Sequence, residues 1–257
     1  MMGARLSVLY ITKNAGQYFD RSLASVAHIA DELLVVDSGS QDNTLMVARS
    51  AGARIIERSW PGFAAQRQFA VAAAENPWVL MMDADEILTE AAAKAIRNTF
   101  LIGEPAGVAG YLLERISFFH GKEICYGDWA HDRVLRLFDR RCGAYGENLV
   151  HEAWETHGTV ESIPGRALHH YSYANYGELL NKMRLYATLN AQQVHQRGKA
   201  LHAYMPMTHA LAAFWRGYFW RLGFLDGVEG AAIAWTTALG AFMKYAIALE
   251  LRDCDRQ

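Results

Sequence analysis

Over about the first 90 residues, apolar runs alternate with amphipathic stretches. Leu6–Ile11 is a short apolar run containing β-branched residues, followed by "TKNAGQ" and a helical pattern to about His28. "ELLVVD" (32–37) is a second buried run, and "SGSQDNT" combines turn chemistry with helix capping to open a helix over roughly 43–51. Gly52 stops that helix, "ARIIE" reads as a third strand, Phe63–Ala74 as a helix and "WVLMM" as a fourth strand. Near-continuous apolar strands alternating with helices predict a parallel sheet covered on both faces. Ligands of such sheets collect at the carboxyl ends of the strands. Thr12, Asn14, Asp37, Asp83 and Asp85 all fall at those ends.

The fourth run leads straight into carboxylates, as "VLMMDADEIL" (79–88). In an extended strand end, residues two apart point the same way, so Asp83 and Asp85 can share one ligand. Facing carboxylates repel unless a cation lies between them, and oxygen ligands suit Mg²⁺ or Mn²⁺. "TKNAGQ" carries no G-x-G-x-x-G, and no G-x-x-x-x-G-K-[ST] occurs anywhere, which disfavours a dinucleotide fold and a P-loop NTPase. The residues therefore predict a sheet-edge site for a nucleoside diphosphate, its charge met by a metal on Asp85.

Composition narrows the class. The 257 residues carry a formal net charge of −2, with 20% charged and 52% hydrophobic residues, which argues against a nucleic-acid partner. Cys125, Cys142 and Cys254 are odd in number and lack metal-ligand spacing, so they suit a reducing compartment. The N-terminal residues show no export signal, and a cytoplasmic location is expected.

Four ordered motifs carry a resemblance: "LSVLYITKN", "ELLVVDSGSQDNT", "FAAQRQFAVAAA" and "WVLMMDADE" are similar, in order and spacing, to family 2 inverting glycosyltransferases of the GT-A fold. "RVLRLFDRR", "NLVHEAW" and "HHYSYANYGELLNKMRLYA" extend it, and the whole set resembles the bacterial lipopolysaccharide core β-1,4-glucosyltransferase group. The resemblance implies an α/β GT-A nucleotide-sugar-binding domain, a mostly parallel sheet flanked by helices, over residues 1–173. Its nucleotide-binding half would cover about 1–90 and its acceptor half about 91–173, with a helical extension over 174–257. By motif, Thr12 and Asp37 would contact the nucleoside, Asp83 the ribose or the metal, and Asp85 the metal bridging the diphosphate, while Arg67 would reach the diphosphate. The implied donor is a UDP-sugar, UDP-glucose by the subgroup, and the implied acceptor a lipopolysaccharide inner-core heptose or similar glycolipid.

Inverting transfer needs a base for the acceptor hydroxyl, outside the metal cluster. Asp128, Asp132, Glu147 and Glu152 are candidates. Glu152 occupies the place where the resembled group has its acid, with Asp132 next in order. Of the histidines at 151, 157, 169 and 170, "HYSY" suggests His170 for the metal shell, a place often completed by a late histidine in GT-A enzymes. The alternative for any of them is a hydrogen-bonded histidine in a half-buried strand.

Residues 174–197 have helical spacing and end at Gly198, with Lys182 and Arg184 available to phosphates. Six aromatics crowd Tyr204–Trp220, and the longest uncharged stretch after them, Gly230–Met243, is 14 residues, short for a span of about 20. Arg216, Arg221 and Lys244 interrupt the apolar surface in the manner of interfacial helices, predicting peripheral association with the inner face of the cytoplasmic membrane. The alternative is a helical hairpin packed on the domain or on a second subunit. Two other function classes stay open: a metal-dependent nucleotidyltransferase acting on a sugar phosphate, and a non-enzymatic sugar-binding or scaffolding module.

Overall fold

The computed structural model describes residues 5–130, 132–146, 153–198 and 200–255. They form two compact units, one of residues 1–116 and 131–171, the other of residues 117–130 and 172–257. The second unit joins residues 117–130 to residues 172–257.

The first unit opens with the alternation read from the pattern: β1 (Leu6–Thr12), α1 (Phe19–Val26), β2 (Glu32–Asp37), α2 (Thr44–Ser50), β3 (Arg54–Glu57), α3 (Phe63–Ala73) and β4 (Trp78–Met82). β1 pairs in parallel with both β2 and β4, and β2 with β3. Parallel strands need apolar cover on both faces, and β4 shows how alternation supplies it. Trp78, Leu80 and Met82 join a core with Phe19, Leu23 and Val26 of α1, while Val79 and Met81 join another with Ala70 and Val71 of α3.

The chain then departs from simple alternation. β5 (Glu86–Leu88) and α4 (Glu90–Phe100), whose cap Thr89 accepts from Ala92 N–H at 3.2 Å, lead to the long β6 (Val108–Phe119) and short β7 (Lys122–Glu123). β8 (Asp132–Asp139), β9 (Gly143–Tyr145), β10 (Trp154–Thr156) and β11 (Thr159–Tyr173) follow. The sheet runs β3-β2-β1-β4-β8-β6-β11-β5, with β8 antiparallel to β4 and β6, and β11 antiparallel to β5.

This order imposes a curl. β4 and β5 lie four places apart in the sheet, roughly 19 Å at about 4.8 Å per strand. The chain from Met82 to Glu86 spans at most roughly 14 Å. The sheet must bend back so that its far edge returns to the carboxyl end of β4.

In the second unit Phe119, Trp129, Tyr173 and Tyr176 form an aromatic cluster, with Trp129 stacked on Tyr173 at 5.0 Å. α5 (Tyr176–Gln196) starts at Asn175, whose side chain accepts from Glu178 N–H at 2.9 Å. α6 (Met205–Phe214) passes into a π-turn (Trp215–Trp220), a 3₁₀ turn (Gly223–Asp226) and α7 (Gly227–Cys254). These segments close tightly because Gly230 carries no Cβ: one would lie 1.9 Å from the Gly223 carbonyl oxygen. The expectation that no stretch is long enough to span a bilayer is corrected by this helix. Gly223–Cys254 runs 32 residues with mean hydropathy 1.3 over its most apolar window, long and apolar enough by length and composition. Lys244 interrupts the run without ending the helix.

A Cβ on Gly143 would sit 2.1 Å from the Glu155 carbonyl oxygen across the β9–β10 pair. Gly143→Ala should therefore push the strands apart and lower stability by about 1–3 kcal/mol, read from the shift in urea midpoint.

Candidate active site

The site is built at the carboxyl ends of β1, β2 and β4. Asp37 ends β2 fully buried. Its Oδ1 accepts Gly39 N–H at 2.9 Å and Ser40 N–H at 2.8 Å, while Oδ2 accepts the Thr12 hydroxyl at 2.8 Å and the Ser40 hydroxyl. Burial alone would raise this carboxyl; the Ser40, Thr12 and Gly39 donors outweigh it and hold the group below its ordinary range. All four acceptor positions are engaged within the protein. Asp37 thus shapes the loop after β2, where Gly39 takes a φ of 84° that suits glycine. Asn14, itself at φ 51°, locks the loop after β1 to it: its N–H donates to Ser40 Oγ and its Oδ1 accepts Gln41 N–H, both at 2.8 Å. Thr12 and Asp37 end the paired strands β1 and β2 and are bonded to each other.

At β4 the three carboxylates part company. Asp83 turns toward arginines, with Arg67 Nη2 of α3 at 2.8 Å from Oδ1 and Arg136 Nη2 of β8 on Oδ2. Burial would raise Asp83, but Arg136 first and Arg67 next hold it far below the usual carboxylate range. Glu86, fully buried at the start of β5, accepts Arg136 at 2.6 Å and Arg115 of β6 at 3.2 Å. Arg115 in turn binds Asp132 at the start of β8, Nε at 2.9 Å. Arg67, Asp83, Arg136, Glu86, Arg115 and Asp132 form one ladder in which three guanidiniums offset three carboxylates.

Arg136 reaches its place through a β-bulge. Leu112 pairs with Leu135 and Tyr111 with Leu137, so Arg136 is the extra residue on β8. Val134 and Leu137 face one core while Leu135 and Phe138 face the other, which breaks the period of two at Arg136. Neither Arg136, Arg115 nor Glu86 had an assigned role in the sequence reading. The signal was present as a charged residue inside "VLRLF".

Asp85 has a histidine beside it. Its Oδ1 lies 3.6 Å from His170 Nε2, and its carbonyl accepts Tyr171 N–H at 2.9 Å. The pairing of β11 with β5, His170 opposite Glu86, delivers the histidine. Among the described residues no group of three or more His, Cys, Asp or Glu is placed to hold a metal. The Asp85–His170 pair is nevertheless a fitting half-shell for Mg²⁺ or Mn²⁺, ions that accept one or two protein ligands beside substrate phosphates. Asp83 belongs to the arginine ladder, so the expected Asp83–Asp85 pair sharing one cation is not what the side chains form.

The remaining expected residues are dispersed. Glu152, Glu147 and His151 lie outside the described residues. Asp128 is in the helical unit, held by Arg216 and Arg221. Lys182 is there too, donating to the Ser172 carbonyl at 2.7 Å with its ammonium 4.5 Å from the Tyr173 ring.

Residues 7–119 match the model of glycosyl transferase family 2. That segment is a glycosyl transferase family 2 domain. An uncharacterised glycosyltransferase of Rickettsia prowazekii is 27% identical, the match covering 97% of this chain and 87% of that one. The lipopolysaccharide core biosynthesis glycosyltransferase LpsC of Rhizobium meliloti is 29% identical, covering 94% of this chain and 93% of that one. Among solved structures, glucosyl-3-phosphoglycerate synthase from Mycobacterium tuberculosis, in complex with Mn²⁺, UDP and glucosyl-3-phosphoglycerate, matches 45% of each chain at 24% identity with a TM-score of 0.36. The sheet is mixed where a mostly parallel one was expected: a parallel β3-β2-β1-β4 half is continued by antiparallel strands, with helices on both faces.

Removing Arg136 would leave Asp83 and Glu86 without their shared partner. Arg136→Met should cost about 3–5 kcal/mol in urea unfolding at neutral pH. Because Asp83 is held low, its contribution is complete above the unfolded carboxyl value of about 4 and drains as pH falls below it. The gap between native and Arg136→Met stability should therefore narrow on acidification.

Proposed function

We propose that this chain is an inverting, metal-dependent hexosyltransferase. It would move glucose from UDP-glucose to a lipopolysaccharide inner-core heptose or similar glycolipid acceptor. The observation that carries the reading is Asp85, just past the carboxyl end of the central parallel strand β4, with its Oδ1 3.6 Å from His170 Nε2. The name of the Rhizobium meliloti relative supports an acceptor in the lipopolysaccharide core.

Asp85 and His170 would hold a divalent cation, which when bound offsets charge on the departing diphosphate. The protein's own residues do the rest. The joined loops after β1 and β2, fixed by Asp37 and Asn14, form a rigid rim for the nucleoside. Arg67 lies at the same sheet edge, anchored on Asp83, and would donate hydrogen bonds to the diphosphate. A carboxylate takes the proton of the acceptor hydroxyl as that oxygen attacks the anomeric carbon from the face opposite the leaving UDP. Glu152 is the assigned base. Asp132 accepts both of its Arg115 bonds on Oδ2 and serves as an anchor of the ladder.

Incubation with UDP-glucose and Mn²⁺ should give slow donor hydrolysis to UDP, whereas pyrophosphate exchange would mark a nucleotidyltransferase. Asp85→Asn should lose metal-dependent UDP binding by calorimetry while its thermal melt stays native-like; an unchanged affinity and Mn²⁺ dependence would remove Asp85 from the metal. Glu152→Gln should keep donor binding and lower transfer by about 10²-fold or more. Near-native turnover there, with collapse in Asp132→Asn, would pass the base role to Asp132.

A further inference from the structure

We propose that the solvent-facing side of α6, the π-turn and α7 is a docking surface for an anionic lipid bilayer, lying in the headgroup layer. The inference rests on the helical unit alone and is independent of the transfer reaction.

The surface is apolar where a soluble helix would be polar. Met207, Leu211, Trp215 and Phe219 follow one another at four-residue steps and all stand exposed, which places them on one stripe. Val228, Trp235 and Leu239 make the exposed stripe of α7. The Phe214 and Trp235 rings, 4.4 Å apart, join the two stripes. Three tryptophans carry most of this face, Trp215 at 62%, Trp220 at 80% and Trp235 at 64% exposure. Along α6 and the π-turn opens a groove of about 770 Å³ lined by Leu211, Ala212, Phe214, Trp215, Arg216 and Trp220. Indole rings partition to the boundary between headgroups and acyl chains.

Charge selects the occupant. Residues 200–249 contain two carboxylates, Asp226 and Glu229. Asp226 is buried, accepting Tyr126 N–H at 2.8 Å, and Glu229 lies 3.3 Å from Lys122. Arg216 and Arg221 share Asp128 at 3.0 and 2.8 Å, yet each guanidinium side chain remains about half exposed, at 50% and 49%. Two cations on one carboxylate leave a net positive charge beside the apolar face, complementary to lipid phosphate. A second copy of the chain would bring that same positive cluster against itself, which disfavours self-association. Ile233, Ala234, Ala238 and Ala248 are buried within the unit, so α7 lies on the bilayer with one face and would have to leave its packing to cross it.

The full chain should co-sediment with vesicles of phosphatidylcholine and phosphatidylglycerol, bind less to phosphatidylcholine alone, weaken with salt, and be released by alkaline carbonate. Trp215→Ser combined with Trp220→Ser should cut vesicle partitioning by about tenfold or more while UDP binding and the thermal melt stay unchanged. Trp235→Ser serves as an independent variant on the other stripe. Vesicle binding unaffected by these variants would overturn the proposal. So would resistance to carbonate, which marks a spanning helix, or a dimer in light scattering that the same substitutions abolish without any vesicle binding.

Discussion

Arg136 lies between Asp83 and Glu86, and the site depends on that placement. A carboxylate at the end of β4 and another at the start of β5 are brought into the same interior by the curl of the sheet. Two buried negative charges would repel and would lose their hydration. One guanidinium reaching both resolves the conflict, and Arg67 and Arg115 extend the solution outward to the loop edge and to Asp132. The ladder ties α3, β4, β5, β6 and β8 through side chains whose geometry is set by charge. That is a stiffer constraint than apolar contact alone, because breaking one rung leaves an uncompensated charge.

The same residue type serves three purposes along one sheet edge. Asp37 spends its acceptors on backbone and hydroxyl donors and so builds a loop. Asp83 is consumed in the ladder. Asp85, two residues further on, is turned toward His170. What separates Asp83 from Asp85 is the partner that the fold brings to each: an arginine from a bulged antiparallel strand for the first, a histidine from β11, beside the edge strand β5, for the second.

Much of the first half was legible in the residues. The apolar runs at Leu6, Glu32 and Trp78 became parallel strands because each is short, bounded by turn chemistry and apolar on both faces. The carboxyl-end positions of Thr12, Asn14, Asp37, Asp83 and Asp85 followed from the same alternation. The later strands were not resolved in this way. β6 and β8 carry charges among apolar residues, and the bulge at Arg136 shifts the register so that a strict period of two assigns the wrong face. The inclusion of residues 117–130 in the helical unit left no local mark either, since it depends on Phe119 and Trp129 meeting Tyr173 and Tyr176 across a sequence gap.

Local sequence specifies the parallel βα half and the oxygen-rich side chains at its carboxyl-terminal edge. Those features follow from local hydrophobic period, turn residues and motif order. Which carboxylate meets arginines and which meets a histidine is set by the tertiary structure. Arg115, Arg136 and His170 reach the site from strands far along the chain, and pairing, curl and bulge set their positions. Charge neutralisation is a property of what meets in space, and residue spacing along a strand does not encode it.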